Sequence, residues 1–138
     1  MITWGISANS HDAALAVFET KQRGLGSNQS LELKFASHSE RFSGIKNDAH
    51  LNTALIEYAR QWGEPNEVIW YERPFRKTLR QFQAGQGWNY NENNIKNYLR
   101  GYGISAPIKY SSHHHSHAAA GYYTSKFTNA TVICIDSI

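Results

Sequence analysis

The chain has 138 residues, enough for one hydrophobic core or part of a larger one, but not for two independent cores. Hydrophobic residues make up 41% and charged residues 18%, so the composition excludes an intrinsically disordered chain and predicts a globular fold. The net charge of +3 suits small anionic ligands as well as nucleic acid.

The apolar runs and the cysteine content bear on the compartment of the protein and on how its fold is stabilised. No apolar stretch approaches the roughly 20 residues of a membrane helix, and the amino terminus lacks a signal-peptide pattern. We therefore expect a cytoplasmic chain with no membrane partner. The single cysteine, Cys134, excludes a disulfide framework and is interpreted as a small hydrophobic residue in the core.

The first third of the chain predicts three consecutive strands. Residues Ile2–Ala8 and Asp12–Phe18 are apolar runs separated by a polar turn, which is typical of a β-hairpin. A Gly-, Ser- and Asn-rich loop over residues 21–30 follows. Leu31, Leu33 and Phe35 then alternate with polar residues, as in a third strand.

The rest of the chain alternates helical and extended patterns. The predicted helices start at Leu51 and end before Gly63, cover roughly Asn93–Arg100, and cover His113–Ser125. The predicted strands are Val68–Tyr71, Ile108–Tyr110 and a buried Thr131–Ile135, and residues 85–94 are expected to form an exposed loop. The order βββαβαβαβ predicts an α/β fold with a mixed sheet and helices on its faces.

An internal histidine cluster is the strongest candidate for a metal site. His113 and His117 are four residues apart, so they project from the same face of the predicted helix, which Ser111 or Ser112 could cap. Asp136 directly follows the predicted buried strand, where open α/β sheets place ligand groups. Two histidines and a carboxylate suit iron, manganese or zinc. The alternative is a solvated helix terminus, with Asp136 as a helix cap.

The first hairpin turn contains a possible catalytic pair. His11 beside Asp12, among small residues, could serve as a general base towards a hydroxyl group. Equally, Asp12 could form a simple Asx-turn.

Two further segments could bind anions. Glu40, Arg41 and Lys46 form a possible cradle for phosphate or carbamoyl oxygens, or else a solvated loop with ion pairs. The basic residues between Arg73 and Arg80, interleaved with phenylalanines, could contact nucleic acid, but their spacing is more typical of an exposed basic helix face.

Several of these segments, in order, resemble the O-carbamoyltransferase family that includes nodulation-factor and antibiotic-tailoring enzymes. The first domain of that family is related to the protein that makes threonylcarbamoyl-adenosine in tRNA. The resembling segments are Ile6–Ala14, Ser39–Lys46, Tyr71–Pro74, His113–Ala118 and Val132–Asp136. The histidine motif and terminal aspartate are the most specific, and the stretch Ser39–Lys46 favours the O-carbamoyltransferase side.

The resemblance implies a fold, a metal site and a reaction. Residues 1–138 would form the first lobe of an actin-like ATPase (ribonuclease H-like) fold. Iron, or else zinc or manganese, would be held by His113, His117, Asp136 and an aspartate of the second lobe. ATP and carbamoyl phosphate would give carbamoyl adenylate, whose carbamoyl group passes to the hydroxyl of a small-molecule acceptor.

The resemblance also implies that the chain is inactive alone. The second lobe and the domain that makes the adenylate would lie beyond Ile138, so we expect a C-terminal part or a second chain to complete the enzyme. The competing hypothesis is a non-catalytic module that reuses the lobe to bind a metal or nucleic acid. We expect the enzyme, with nucleic acid as the less favoured partner.

Overall fold

The computed structural model describes residues 1–22, 29–88 and 93–135. The chain divides into two compact units. The first consists of Met1–Trp70 and Ile95–Lys109, and the second of Tyr71–Asn94 and Tyr110–Ile138. Each unit is described by itself below.

The described residues form five strands, five α-helices and one short 3₁₀ turn. The strands are β1 (Ile2–Ser7), β2 (Ala14–Gln22), β3 (Gln29–His38), β4 (Glu67–Trp70) and β5 (Ile108–Tyr110). The helices are α1 (Glu40–Ser43), α2 (Thr53–Ala59), α3 (Pro74–Gln83), α4 (Ile95–Arg100) and α5 (His113–Tyr123), and the 3₁₀ turn is Arg60–Trp62. None of these helices is both long and apolar enough to cross a membrane.

A five-stranded mixed sheet in the order β3-β2-β1-β4-β5 organises the first unit. β1 pairs antiparallel with β2, and β2 pairs antiparallel with β3, so the predicted three-strand meander is confirmed. β4 lies parallel to β1 on its other side. A parallel neighbour requires a crossover connection, and the segment between β3 and β4, which contains α2, supplies it. The predicted α/β class with a mixed sheet is therefore confirmed.

The core of the first unit includes one face of β1, β2 and β4. Trp4 and Ile6 of β1 and Leu15 and Val17 of β2 are buried, because alternate side chains of a strand point to the same face. Each such side chain contributes about 1.5 to 3 kcal/mol when fully buried. β3 lies at the edge of the sheet and leaves Leu33 exposed.

The helix predicted from Leu51 is confirmed as α2 and supplies further core residues. Leu55, Ile56 and Ala59 are buried, as their spacing predicts. The side chain of Asn52 caps the helix by accepting the Ala54 N–H at 2.8 Å. The helix ends in the 3₁₀ turn.

Two longer helices and a buried amide characterise the second unit. α3 begins with Pro74 at its first turn, a position that does not need a backbone N–H donor. Asn93 donates from Nδ2 to Thr78 Oγ1 at 2.8 Å and to Gln81 Oε1 at 3.1 Å. Asn93 is therefore buried, whereas the sequence analysis placed it in an exposed loop; residues 85–88 of that loop are exposed as predicted, and residues 89–92 lie outside the described part.

The prediction of a buried strand at Thr131–Ile135 is wrong. These residues form no strand, and Ile133 and Ile135 are 79% and 90% exposed. An apolar run becomes a buried strand only where another strand offers its hydrogen-bonding edge, and residues 131–135 pair with none of the described strands. Cys134, predicted in the core, is exposed for the same reason.

The segment after β4 also differs from the predicted order. The predicted order βββαβαβαβ contains no helix between β4 and Asn93, although the spacing of the basic residues in this segment was typical of a helix face, and Pro74–Gln83 is helical. Its strongly polar composition hides the signal, because Arg, Lys and Gln favour helices without producing an apolar stripe.

Candidate metal and anion site

The histidines of the candidate site lie at the start of α5 in the second unit. Ser112 has an extended backbone and occupies the N-cap position, so the helix begins at His113. Residues four positions apart on a helix are neighbours, and the rings of His113 and His117 have centroids 4.7 Å apart. His114 and His115 are exposed, as is His117, whereas His113 is half-buried.

The two histidines face each other through the same ring atom. His113 Nε2 and His117 Nε2 are 3.3 Å apart, so without a metal one ring can donate to the other. Two nitrogens bound to one ion at about 2.1 Å lie about 3.0 to 3.4 Å apart for bond angles of about 90° to 109°. The observed separation of 3.3 Å fits both uses, and the donor set of two imidazoles suits iron, zinc or manganese.

A complete ligand set is not present in the part of the chain that the structure describes. Within residues 1–22, 29–88 and 93–135, no group of three or more His, Cys, Asp and Glu side chains is arranged to hold a metal ion. Asp136, the third predicted ligand, lies outside the described residues. Its role as a ligand therefore stays a prediction.

A buried glutamate, Glu72, lies next to the histidine pair. Glu72 is only 3% exposed and contacts Lys77 Nζ through Oε1 at 3.5 Å. Its other oxygen, Oε2, accepts a hydrogen bond from Arg80 and lies 3.6 Å from His113 Nδ1. A buried carboxylate is costly unless cations compensate it, and α3 supplies two. The carboxylate thus joins α3 to the first residue of α5.

Lys77 is the more deeply buried of the two cations. Burial lowers the pKa of its ammonium group, while the charge of Glu72 acts in the opposite direction. Its Nζ also donates to Tyr71 Oη at 3.2 Å and lies 5.7 Å from the centre of the Tyr71 ring. These contacts direct Lys77 towards Glu72 and Tyr71 instead of towards solvent.

The basic residues were predicted to form an exposed helix face, but they are not all exposed. Lys77 is buried and Arg80 is bound to Glu72, whereas Arg73 and Arg76 are exposed. The sequence does not show which of these cations are buried, because their partner is a glutamate that precedes the helix. A buried ion pair of this kind leaves no periodic signal in the sequence.

A pocket of about 260 Å³ opens beside the histidine pair. Its lining consists of three arginines, the start of α5 and the carboxylate of Glu72, which Arg80 binds: Glu72, Arg73, Arg76, Arg80, Ser112, His113 and His114. Among the described residues, no ion pair neutralises Arg73 or Arg76. Guanidinium groups and the amino-terminal end of a helix both attract anions. The pocket can accommodate a phosphate or carboxylate group near the histidines.

The predicted catalytic pair lies in the turn between β1 and β2 in the first unit. His11 Nδ1 is 2.9 Å from Asp12 Oδ2, and the His11 side chain is 83% exposed. Asn9 and Asp12 have φ angles of 61° and 54°, a left-handed conformation that Asn and Asp tolerate better than most residues. The structure brings His11 and Asp12 together, and their catalytic role stays a prediction.

The predicted phosphate cradle lies on and after α1, also in the first unit. Glu40 Oε2 accepts the Asn47 N–H at 3.3 Å, and Glu40 Oε1 lies 3.7 Å from Arg41 Nη2. Arg41 is 76% exposed, and Lys46 is exposed as well. This arrangement resembles the solvated loop that was the alternative interpretation, and anion binding by these three residues stays a prediction.

Glu72 was not among the predicted site residues, and Lys77 and Arg80 were considered only as part of a basic segment that could contact nucleic acid. For Glu72 the one sequence signal was the segment Tyr71–Pro74, which carries part of the family resemblance. A glutamate followed by cations five and eight positions later does not by itself indicate a buried cluster.

Comparison with known proteins finds a relative of this chain. The chain is 28% identical, over 163 aligned positions and 97% of its own length, to the uncharacterized protein sll1178 of Synechocystis. It spans about 25% of the length of that relative. No family model matches the chain. No solved structure matches it either.

Proposed function

We propose that this chain is the first lobe of a metal- and ATP-dependent O-carbamoyltransferase with an actin-like ATPase fold. The observation that carries the proposal is the histidine pair, whose Nε2 atoms are 3.3 Å apart at the start of α5. This pair belongs to the motif on which the family resemblance chiefly rests. The mixed α/β sheet is compatible with a lobe of that fold.

In the proposed enzyme, His113 and His117 hold a divalent metal, iron in the first place and zinc or manganese otherwise, together with Asp136. Bound there, the metal supplies Lewis acidity towards the anionic oxygens of the carbamoyl donor. Arg73 and Arg76 bind a phosphate oxygen of the donor in the adjacent pocket. The donor is carbamoyl adenylate, formed from ATP and carbamoyl phosphate.

In this proposal, His11 removes the proton from the acceptor hydroxyl group. With Nδ1 donating to the Asp12 carboxylate at 2.9 Å, His11 Nε2 carries the lone pair that accepts the hydroxyl proton. Asp12 orients the ring and stabilises the imidazolium that results. The exposure of His11 leaves room for a hydroxyl group of a small-molecule acceptor.

Because the chain spans only about 25% of the length of sll1178, the proposal is tested with a longer polypeptide. The chain is joined to the remaining part of the enzyme that the proposal requires and incubated with ATP and carbamoyl phosphate. We expect carbamoyl-phosphate-dependent release of pyrophosphate, followed by carbamoylation of a hydroxyl acceptor. His113→Ala and His117→Ala should abolish the transfer, and the exposed His115→Ala serves as the matched control. Transfer that survives both ligand substitutions would refute the proposal.

A further inference from the structure

We propose that Glu72 is a positioning residue that fixes the tautomer and orientation of His113. In this role the carboxylate keeps the proton of the His113 ring on Nδ1, so that Nε2 presents its lone pair towards His117. The inference rests on the proposed metal-binding role of the histidine pair. It assigns to Glu72 a function that neither the sequence motifs nor the relative suggests.

Glu72 brings a negative charge to a buried position. The residue is 3% exposed, and the cations of Lys77 and Arg80 compensate its carboxylate from the same helix. The two cations also fix the side chain, since one approaches Oε1 and the other Oε2. A carboxylate held on both oxygens is a rigid reference point for a neighbouring ring.

The carboxylate of Glu72 also lies close to the His113 ring. Glu72 Oε2 lies 3.6 Å from His113 Nδ1, somewhat beyond the limit of about 3.2 Å for a good N–H···O hydrogen bond. At this separation the carboxylate acts as a charge. In a site shielded from water a negative charge favours a proton on the nearest ring nitrogen, which is Nδ1.

The rigid imidazole ring fixes the direction of its second nitrogen once the first is placed. Because Nδ1 and Nε2 lie on different sides of the ring, directing Nδ1 towards Glu72 directs Nε2 away from it. In the structure that second nitrogen lies 3.3 Å from His117 Nε2. Metal-bound histidines commonly have this arrangement, with a carboxylate or carbonyl at the nitrogen that does not bind the metal.

Tyr71, the residue before Glu72, makes two contacts that hold α5 next to Glu72. Ser116 Oγ donates to the Tyr71 carbonyl oxygen at 2.7 Å, one helical turn after His113. The Tyr71 ring also packs edge-on against the His113 ring, with centroids 6.2 Å apart. The segment that carries Glu72 is thus tied to α5 through Tyr71.

The test compares the full chain with Glu72→Gln, which keeps the shape of the side chain and removes its charge. The tautomer of His113 is read from long-range ¹H–¹⁵N correlation spectra of the metal-free protein at about pH 8, where imidazoles are neutral. We expect a proton on Nδ1 in the unmodified chain and a shift towards the Nε2–H form in the variant. Cobalt or zinc affinity, from competition with a chromophoric chelator, should fall about 10- to 100-fold.

Two further variants serve as controls. Glu67→Gln removes a glutamate that is also ion-paired, through Lys109 at 2.6 Å, and should change neither the His113 tautomer nor the metal affinity. Glu72→Asp retains the charge and should keep most of the Nδ1–H form. This variant also provides the comparison if Glu72→Gln does not fold.

The outcomes separate this inference from the proposed function. An Nε2–H tautomer in the unmodified chain, or an Nδ1–H form that persists in Glu72→Gln, overturns the role of Glu72 whether or not metal binds. An Nδ1–H form that depends on Glu72, in a chain that binds no metal, supports the positioning role and counts against the proposed function.

Discussion

Replacing Asn93 by alanine should destabilise the second unit, because this buried amide anchors α3. Its Nδ2 donates to Thr78 Oγ1 and Gln81 Oε1 at 2.8 and 3.1 Å. Thr78 is fully buried and Asn93 is 5% exposed, so water does not readily replace the lost contact. The consequence reaches the candidate site, since α3 also carries the two cations that hold Glu72.

The expected cost follows from the two hydrogen bonds. Each contributes a net of about 1 kcal/mol, and a buried polar atom left without its partner costs about 1 to 3 kcal/mol. We therefore expect Asn93→Ala to lower the free energy of unfolding by roughly 2 to 4 kcal/mol. The matched control is Asn129→Ala at an exposed position, which should stay within about 0.5 kcal/mol of the unmodified chain.

Urea unfolding combined with a double-mutant cycle measures the contact itself. Thr78→Val removes the acceptor from the other side, and the pair should show an interaction energy of about 1 kcal/mol. Additive losses within about 0.3 kcal/mol, or a loss in Asn93→Ala no larger than in the control, would refute the reasoning.

Three further predictions concern the first unit. Leu55→Ala empties a fully buried position and should cost about 2 to 5 kcal/mol in urea unfolding. Tyr98→Phe removes the acceptor of the Leu51 N–H at 2.8 Å and should cost about 1 to 3 kcal/mol in the same assay. Lys109 holds the pKa of Glu67 below its usual value of 4.5, so the stability that this pair contributes is present above that pH and lost as the pH falls through the lowered pKa. Lys109 is 71% exposed, so Glu67→Gln should reduce the acid dependence of the free energy of unfolding, measured with urea, by no more than about 1 kcal/mol.

The sheet and the main helix of the first unit could be predicted because their signals are local. The alternation along β1 and β2 and the helical spacing of Leu55, Ile56 and Ala59 all correspond to buried side chains. The segment 131–135 could not be predicted in this way. Its apolar run carries the same local signal as a core strand, and only its lack of a partner strand among the described residues distinguishes it.

The contacts of the candidate site likewise include some that could be predicted from the sequence and one that could not. The pairing of His113 with His117, and of His11 with Asp12, follows from short sequence separations, and the structure brings both pairs together. The position of Glu72 does not follow from sequence spacing, because its contact with His113 joins residues 41 positions apart. Long-range contacts of this kind depend on how α3 and α5 pack, which composition and periodicity do not specify.

The most direct test of the central claim is metal content. The chain, purified without a histidine tag, is equilibrated with zinc or iron(II), freed of excess metal and measured by mass spectrometry beside His113→Ala, His117→Ala and the control His115→Ala. We predict one metal ion per chain in the unmodified protein and in the control, and loss of that ion in both ligand variants. No bound metal in the unmodified chain, or equal metal content in all four proteins, would contradict the claim that His113 and His117 form a metal site.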